Sequence, residues 1–324
     1  MSEAPPGSAA GRGSAGLLGA GLILLAATCF GTLGPIAHAA DEAGVSSLAL
    51  VTWRAALGAA CMLLLIALRV AAGQSPVSRL RELPARDRWF VASAAVANAA
   101  LNLAMFIAFL RIGIALALLV FYTYPAWVAL ASTLWFGERL DRPRWAALGL
   151  ALLGMVLVVA GAGQLGGLDS LGIVLAFGAG LAQAFYVMAA RHGFARVPVV
   201  QAAGLTMGGA AAIYVVIALL IGQLPTLAQP LASAAALWPV LVAGVVGAGL
   251  ATYCFITGIR LLGAPRAAIL STFEPVVGVV LAAVLLAEQP TPLQLVGGAL
   301  IIVAGIVLQL RPRAELAEHE AVGG

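Results

Sequence analysis

Residues 271–288 read STFEPVVGVVLAAVLLAE, an apolar run in which Glu274-Pro275 is the one charged interruption before Glu288. A carboxylate inside a membrane-spanning helix costs about 2.5–3.5 kcal/mol on insertion scales. Such residues usually face a polar cavity, which makes Glu274 a candidate functional residue. Residues 121–138, 150 positions earlier, read FYTYPAWVALASTLWFGE. Tyr124-Pro125 there stands where Glu274-Pro275 stands later, and Glu138 stands where Glu288 does. The chain reads as written twice.

The rest of the composition places this doubled unit in a bilayer. Of 324 residues, 63% are hydrophobic and 9% charged, against roughly 25% charged in a soluble domain. Alternating apolar and polar residues are rare, so the expected class is an all-α membrane protein and not a barrel. All 17 basic residues are Arg. Without Lys there is no P-loop and no Schiff-base chemistry. Cys29, Cys61 and Cys254 lie in apolar runs and read as small buried hydrophobes. No His/Cys cluster or H-E-x-x-H is present, so no metal site and no cofactor is expected.

Ten apolar spans follow a polar, Gly/Ser/Ala/Pro-rich lead over 1–15 that is expected to be disordered. They lie near 16–38, 48–70, 89–110, 114–136, 143–163, 168–190, 198–222, 235–259, 265–287 and 292–310. Each is long enough to cross about 30 Å of hydrocarbon. Ala37-His38-Ala39 resembles a cleavage site, but the run before it is too long for a signal core, and the repeat needs it as a span. The tail 312–324 is acidic and also expected to be disordered. If the N-terminus is cytoplasmic, 15 of the 17 Arg fall in cytoplasmic segments, and only Arg111 falls in an outer loop. That bias puts both termini inside. The basic balance therefore reflects topology and gives no reason to expect nucleic acid. Trp89, Trp135, Trp145 and Trp238 sit at span ends, as interfacial anchors do.

The two halves, 16–163 and 164–311, each hold five spans. An odd number makes the second half enter the membrane from the opposite face. Inverted repeats of this kind build many secondary transporters, with the substrate held near the midplane between the halves. A lipid-modifying enzyme would need clustered His, Lys or paired carboxylates at mid-depth, and these are missing. A structural protein or receptor has no evident need of the inversion; an accessory scaffold for another membrane complex is a third reading, which co-purification at fixed stoichiometry would support.

Tyr-Pro followed by Gly-Glu-Arg-Leu at 124–140, Glu-Pro followed by Leu-Ala-Glu at 274–288, and Trp53-Arg54 early in the second span resemble the drug/metabolite transporter superfamily. Within it, the chain is similar to the EamA family of ten-span bacterial exporters, over roughly residues 17–311. Ala287-Glu288 departs from the Gly-Glu more frequent in that family. The resemblance implies a cytoplasmic-membrane exporter of small metabolites, often amino acids.

The candidate pathway residues are Glu274, Tyr124, Asn98, Asn102, Tyr253, Arg54 and Gln183. Glu274 could meet a substrate ammonium or carry a coupled proton; otherwise it pairs with Arg54 or is capped by Ser271 and Thr272. Arg54 could meet a carboxylate or snorkel to the interface. Asn98 and Asn102 share a helical face and suggest cavity lining, or else bonds between helices. Tyr122, Tyr124, Tyr186 and Tyr253 offer an aromatic wall, or ordinary packing. Pro125 and Pro275 are read as mid-helix kinks that free the carbonyls of Phe121 and Ser271. Glu138 and Glu288 are read as helix-end or gating residues. Gly204-x-x-x-Gly208 and Gly244, Gly247 and Gly249 are read as close helix approaches. His38, His192 and His319 are read as interfacial, solvated in a basic loop, and in the tail. The substrate is expected between the third, fourth, eighth and ninth spans. Drugs and other metabolites are the alternative cargo; a nucleotide sugar would call for more cavity cations than one Arg.

Overall fold

Apolar runs in a bilayer have no water for their amides and close their hydrogen bonds within helices. The computed structural model describes residues 9–74, 77–79, 81–137, 141–161, 169–285 and 290–322. Side chains are described throughout these except at 9–14, 34, 38, 109–110, 113–115, 279, 282–283, 285 and 308–322.

The first half holds α1 (Ala9–Gly31), α2 (Leu33–Glu42), α3 (Ser47–Ala71), α4 (Ala85–Phe121), α5 (Tyr124–Phe136) and α6 (Arg142–Gly161). The second holds α7 (Ser170–Met188), α8 (Val199–Leu220), α9 (Ala234–Gly244), α10 (Ala251–Leu262), α11 (Ala264–Ser271), α12 (Glu274–Leu285) and α13 (Pro292–Val322). A π-turn at Ala189–Gly193 closes α7, and another at Val245–Leu250 joins α9 to α10. Among the described residues, eight helical stretches are long and apolar enough to cross a membrane, and a shorter apolar one runs over Pro292–Val307. The ninth expected span, 265–287, is α11 and α12 with a break between them. Helical backbone continues from Ala85 to Phe121, through the expected junction of the third and fourth spans. The polar lead and tail also carry helical backbone, from Ala9 and as far as Val322.

Packing follows a regular exchange between the halves. α1, the first span, packs on α10, in the third span of the second half; α7, first in its half, packs on α4, which holds the third span of the first. α3 packs on α8, α5 on α11, and α6 on α13, so second meets second, fourth meets fourth and fifth meets fifth. Swapping the halves leaves this pattern unchanged. α3 and α8 even end alike, on Gly73 (φ 76°) and Gly222 (φ 71°) in the left-handed region.

Small residues allow these contacts. A Cβ on Gly154 would sit 2.6 Å from the Gly297 carbonyl, and one on Gly297 would sit 2.5 Å from the Gly154 carbonyl. Gly204 and Gly208 face Met62 and Ala59 of α3; Gly244 faces Leu57. The outward faces carry exposed Leu, Val and Ile along with Trp89, Trp135, Trp145 and Trp238, a surface suited to lipid.

Polar ties finish the helix ends. Ser46, Asp169 and Ser233 cap α3, α7 and α9 through the amides of Ala49, Leu171 and Ala236. Asp169 also pairs with Arg111 at 2.6 Å; that hydrogen bond and the Leu171 amide hold its carboxyl below the ordinary range. His192 departs from its expected place in a solvated loop. Its ring stacks on Phe136 at 3.9 Å, because the π-turn folds it back against the bundle. Neighbouring Arg191 donates to the Arg260 carbonyl, and Arg260 donates to the Phe194 carbonyl, tying α7 to α10.

Gly154→Leu should lower the unfolding midpoint of purified protein, because the helix axes must part by more than a core can absorb, at a cost of about 1–3 kcal/mol or more. Gly149→Leu on the same helix meets open space within 4 Å and should leave the midpoint near that of the parent in a thermal melt.

Candidate functional site

Proline decides the local geometry. Inside a helix its ring strikes the carbonyl four residues back; in the first turn its missing N–H is harmless. The structure takes the second course, so the expected mid-helix kinks are corrected to breaks. α4 ends at Phe121, Tyr122-Thr123 turn, and α5 restarts at Tyr124 with Pro125 in its first turn. α11 ends at Ser271, Thr272-Phe273 turn, and α12 restarts at Glu274 with Pro275 following. The two breaks match residue for residue at an offset of 150.

At each break a glycine from the opposite half packs closely on the backbone. Gly180 of α7 comes so close to the Phe121 carbonyl that a Cβ would lie 2.9 Å from it. A Cβ on Gly31 of α1 would likewise lie 2.9 Å from the Glu274 carbonyl. Thr123 and Thr272 donate their hydroxyls to the carbonyls of Val120 and Ile269, covering further turn oxygens.

The breaks meet each other at mid-bundle. The Tyr124 and Ser271 hydroxyls share a hydrogen bond across the two halves, and Ser271 also reaches the carbonyls of Ala267 and Ala268. Gln183 lies beside the Tyr124 hydroxyl. Tyr122 is buried; its hydroxyl faces Glu274 but closes no hydrogen bond of normal length. Glu274 occupies the first turn of α12, where the helix dipole favours a carboxylate. Ser271 and Thr272 bond back to their own helix and do not cap Glu274.

A second polar centre lies on α3, α4, α8 and the π-turn. Arg54 donates to Asn102 Oδ1 at 2.6 Å and to the Gly247 carbonyl at 3.2 Å. That carbonyl belongs to the wide turn Val245–Leu250, the kind of local unwinding often found at working sites. Asn102 in turn donates to the Asn98 carbonyl and side chain at 2.8 and 3.1 Å. Arg54 thus turns inward and does not snorkel, while its Nε is buried without a partner among the described residues. A cavity of about 20 Å³ beside it is bordered by Asn98, Asn102, Tyr214 and Thr252, enough for one water. Arg54 and Glu274 feel each other's charge, yet no ion pair joins them among the described residues.

Two neighbouring centres therefore gather six of the seven pathway candidates. Tyr253 is placed elsewhere: its hydroxyl accepts from Arg69 at 3.3 Å. Tyr186 lies against Thr206 in the core. Glu138 and Glu288 fall outside the described residues. The expected location between third, fourth, eighth and ninth spans widens, because Arg54 comes from the second span, Gln183 from the sixth and Tyr214 from the seventh. Tyr214, whose hydroxyl donates to the Ala99 carbonyl at 3.0 Å, was missed by the sequence reading. As the one tyrosine of five not considered, it could have been found by asking the same question of every hydroxyl in a span.

Broken helices that bring a carboxylate and an Arg together inside a bundle are a construction that secondary transporters use. The model of the EamA-like transporter family matches residues 17–160 and again 170–310, and the chain belongs to that family. An uncharacterized transporter of Synechocystis sp. is 30% identical over 203 residues; the match covers 60% of this chain and 58% of that protein. A solved crystal structure is similar over 93% of this chain and 98% of its own, with 25% identity and a TM-score of 0.75.

Asn102→Leu removes the acceptor of the shortest Arg54 hydrogen bond and leaves a buried cation underpaired, a loss of about 1–3 kcal/mol. The unfolding midpoint of the variant should fall, and Asn102→Gln, which keeps an acceptor, should recover part of it in the same melt.

Proposed function

We propose that this transporter exports a small metabolite, with amino acids favoured, by alternating access of two inverted five-span halves in a bacterial cytoplasmic membrane. In this reading ten spans place both termini inside. The observation that carries the cargo class is the pair of opposite charges at mid-bundle, Glu274 and Arg54, which are near each other but unpaired among the described residues. A zwitterion can complete both: its ammonium meets Glu274, and its carboxylate meets Arg54. Tyr124, Asn98, Asn102 and Gln183 then shape the space between them. The family membership supports transport in general, and the cyanobacterial relative fits a bacterial setting.

Alternating access needs parts that move against each other. The broken helices supply short segments on either side of Tyr122-Thr123 and Thr272-Phe273, which can tilt without disturbing a continuous ladder of hydrogen bonds. In the proposed cycle Glu274 also carries a coupled proton, taken up when the substrate ammonium leaves it.

The reading is tested by expressing the chain in cells and challenging them with toxic amino acids and analogues. Tolerance to zwitterionic compounds is expected, and Glu274→Ala or Arg54→Gln at equal expression should abolish it. Normal export by Glu274→Ala removes this residue from the pathway. Tolerance confined to drugs without both charges favours the alternative cargo. In liposomes Glu274→Gln should still bind substrate but lose its dependence on a pH gradient; an unchanged dependence rules out the proton role.

A further inference from the structure

A groove of about 880 Å³ lies along α3 and α8, one helical turn from the Arg54 cavity: Ala59 follows Ala55 by four, and Gly208 and Gly209 lie between Met207 and Ala210. Its floor is the small-residue face of α8, at Gly204, Gly208 and Gly209. Its wall is α3, at Ala59, Leu63 and Ile66, with Leu63 largely exposed. From Ala59 to Ile66 the groove follows about 10 Å of helix, most of the depth of one hydrocarbon leaflet. An apolar furrow of this depth, with Leu63 exposed beside it, suits an acyl chain.

The mouth of the groove has a different chemistry. Residues 77–79 and 81–82 pass over it and bring Arg79 and Arg81 to the rim, both exposed. The segment is held by a built contact. Gln201 is 5% exposed, and its side chain donates to the Ser78 carbonyl at 2.8 Å and accepts from the Ser78 amide at 2.9 Å. Two hydrogen bonds to one backbone unit fix where the arginines begin. Arg79 makes an ion pair with Glu82 at 3.3 Å, but both side chains are largely exposed, and pairs of that kind contribute little. A phosphate can take Arg79 from it.

We infer that this groove is a binding site for an anionic glycerophospholipid, with the phosphate at Arg79 and Arg81 and an acyl chain laid along Gly204, Gly208 and Leu63. Basic residues beside a membrane helix attract anionic headgroups, and an apolar furrow beneath them adds the chain's burial. The rim lies at the arginine-rich end of the bundle, which the charge bias assigns to the leaflet facing the cytoplasm. The inference does not depend on the identity of the cargo.

The test is thermal unfolding of the purified full chain titrated with phosphatidylglycerol, with phosphatidylcholine of the same acyl chains, or with inorganic phosphate. Phosphatidylglycerol should raise the midpoint at lower concentration than phosphatidylcholine, and inorganic phosphate should not raise it. In Arg79→Gln/Arg81→Gln the phosphatidylglycerol concentration for half the effect should rise roughly 30-fold, as two lost cations near an anionic surface would give. Gly208→Leu fills the floor and should blunt the response to both lipids, while the arginine pair should blunt only the response to phosphatidylglycerol. Equal response to the two lipids, an equal response to inorganic phosphate, or an arginine double variant that titrates like the parent overturns the inference.

Discussion

Two helices of this bundle stop and restart in the middle of their path, and every freed carbonyl there must be covered where no water is guaranteed. That constraint organises the rest. Gly180 lies against one such oxygen, that of Phe121, where any side chain would strike it. The constraint explains why Thr123 and Thr272 turn their hydroxyls back on their own helices. It also explains why the Tyr124 and Ser271 hydroxyls meet across the two halves. Backbone left irregular at this depth persists only where protein or a cavity satisfies it.

The breaks also set the electrostatics of the centre. Restarting α12 at Glu274 puts a carboxylate on a helix N-terminus, the end that best tolerates negative charge. The π-turn between α9 and α10 does the complementary service for Arg54 by presenting the Gly247 carbonyl to its guanidinium. One centre is thus built from an N-terminus and an acid, the other from a carbonyl and a base. Neither charge is neutralised by the other in the described structure, although each is close enough to be felt. In the proposed cycle these are the two charges that meet the cargo.

Much of this was legible in the amino-acid order, and the reasons are specific. Composition alone set the helical membrane class, and the 150-residue offset between Tyr124-Pro125 and Glu274-Pro275 marked the repeat. Asn98 and Asn102 were found because spacing by four puts side chains on one face. The prolines were located but misread, since a kink and a break begin with the same lost hydrogen bond. Only the turns at Tyr122-Thr123 and Thr272-Phe273 separate the two outcomes. Tyr253 was placed in the pathway because any tyrosine in a span offers a hydroxyl; which way its helix faces is a matter of packing, and packing turned it to Arg69. The π-turn at Val245–Leu250 left no readable signal beyond its glycines, which serve equally well for close approach.

The central proposal is that the two halves, which break at matching positions, lie in the membrane with opposite orientation. Gln74 and Gln223 test it directly. Both are exposed, and each follows the left-handed glycine that ends the second span of its half. In a cysteine-free background, Gln74→Cys and Gln223→Cys should react with a membrane-impermeant maleimide from opposite faces: Gln223→Cys in intact cells, Gln74→Cys only after permeabilisation. Labelling of both from the same face would contradict the account.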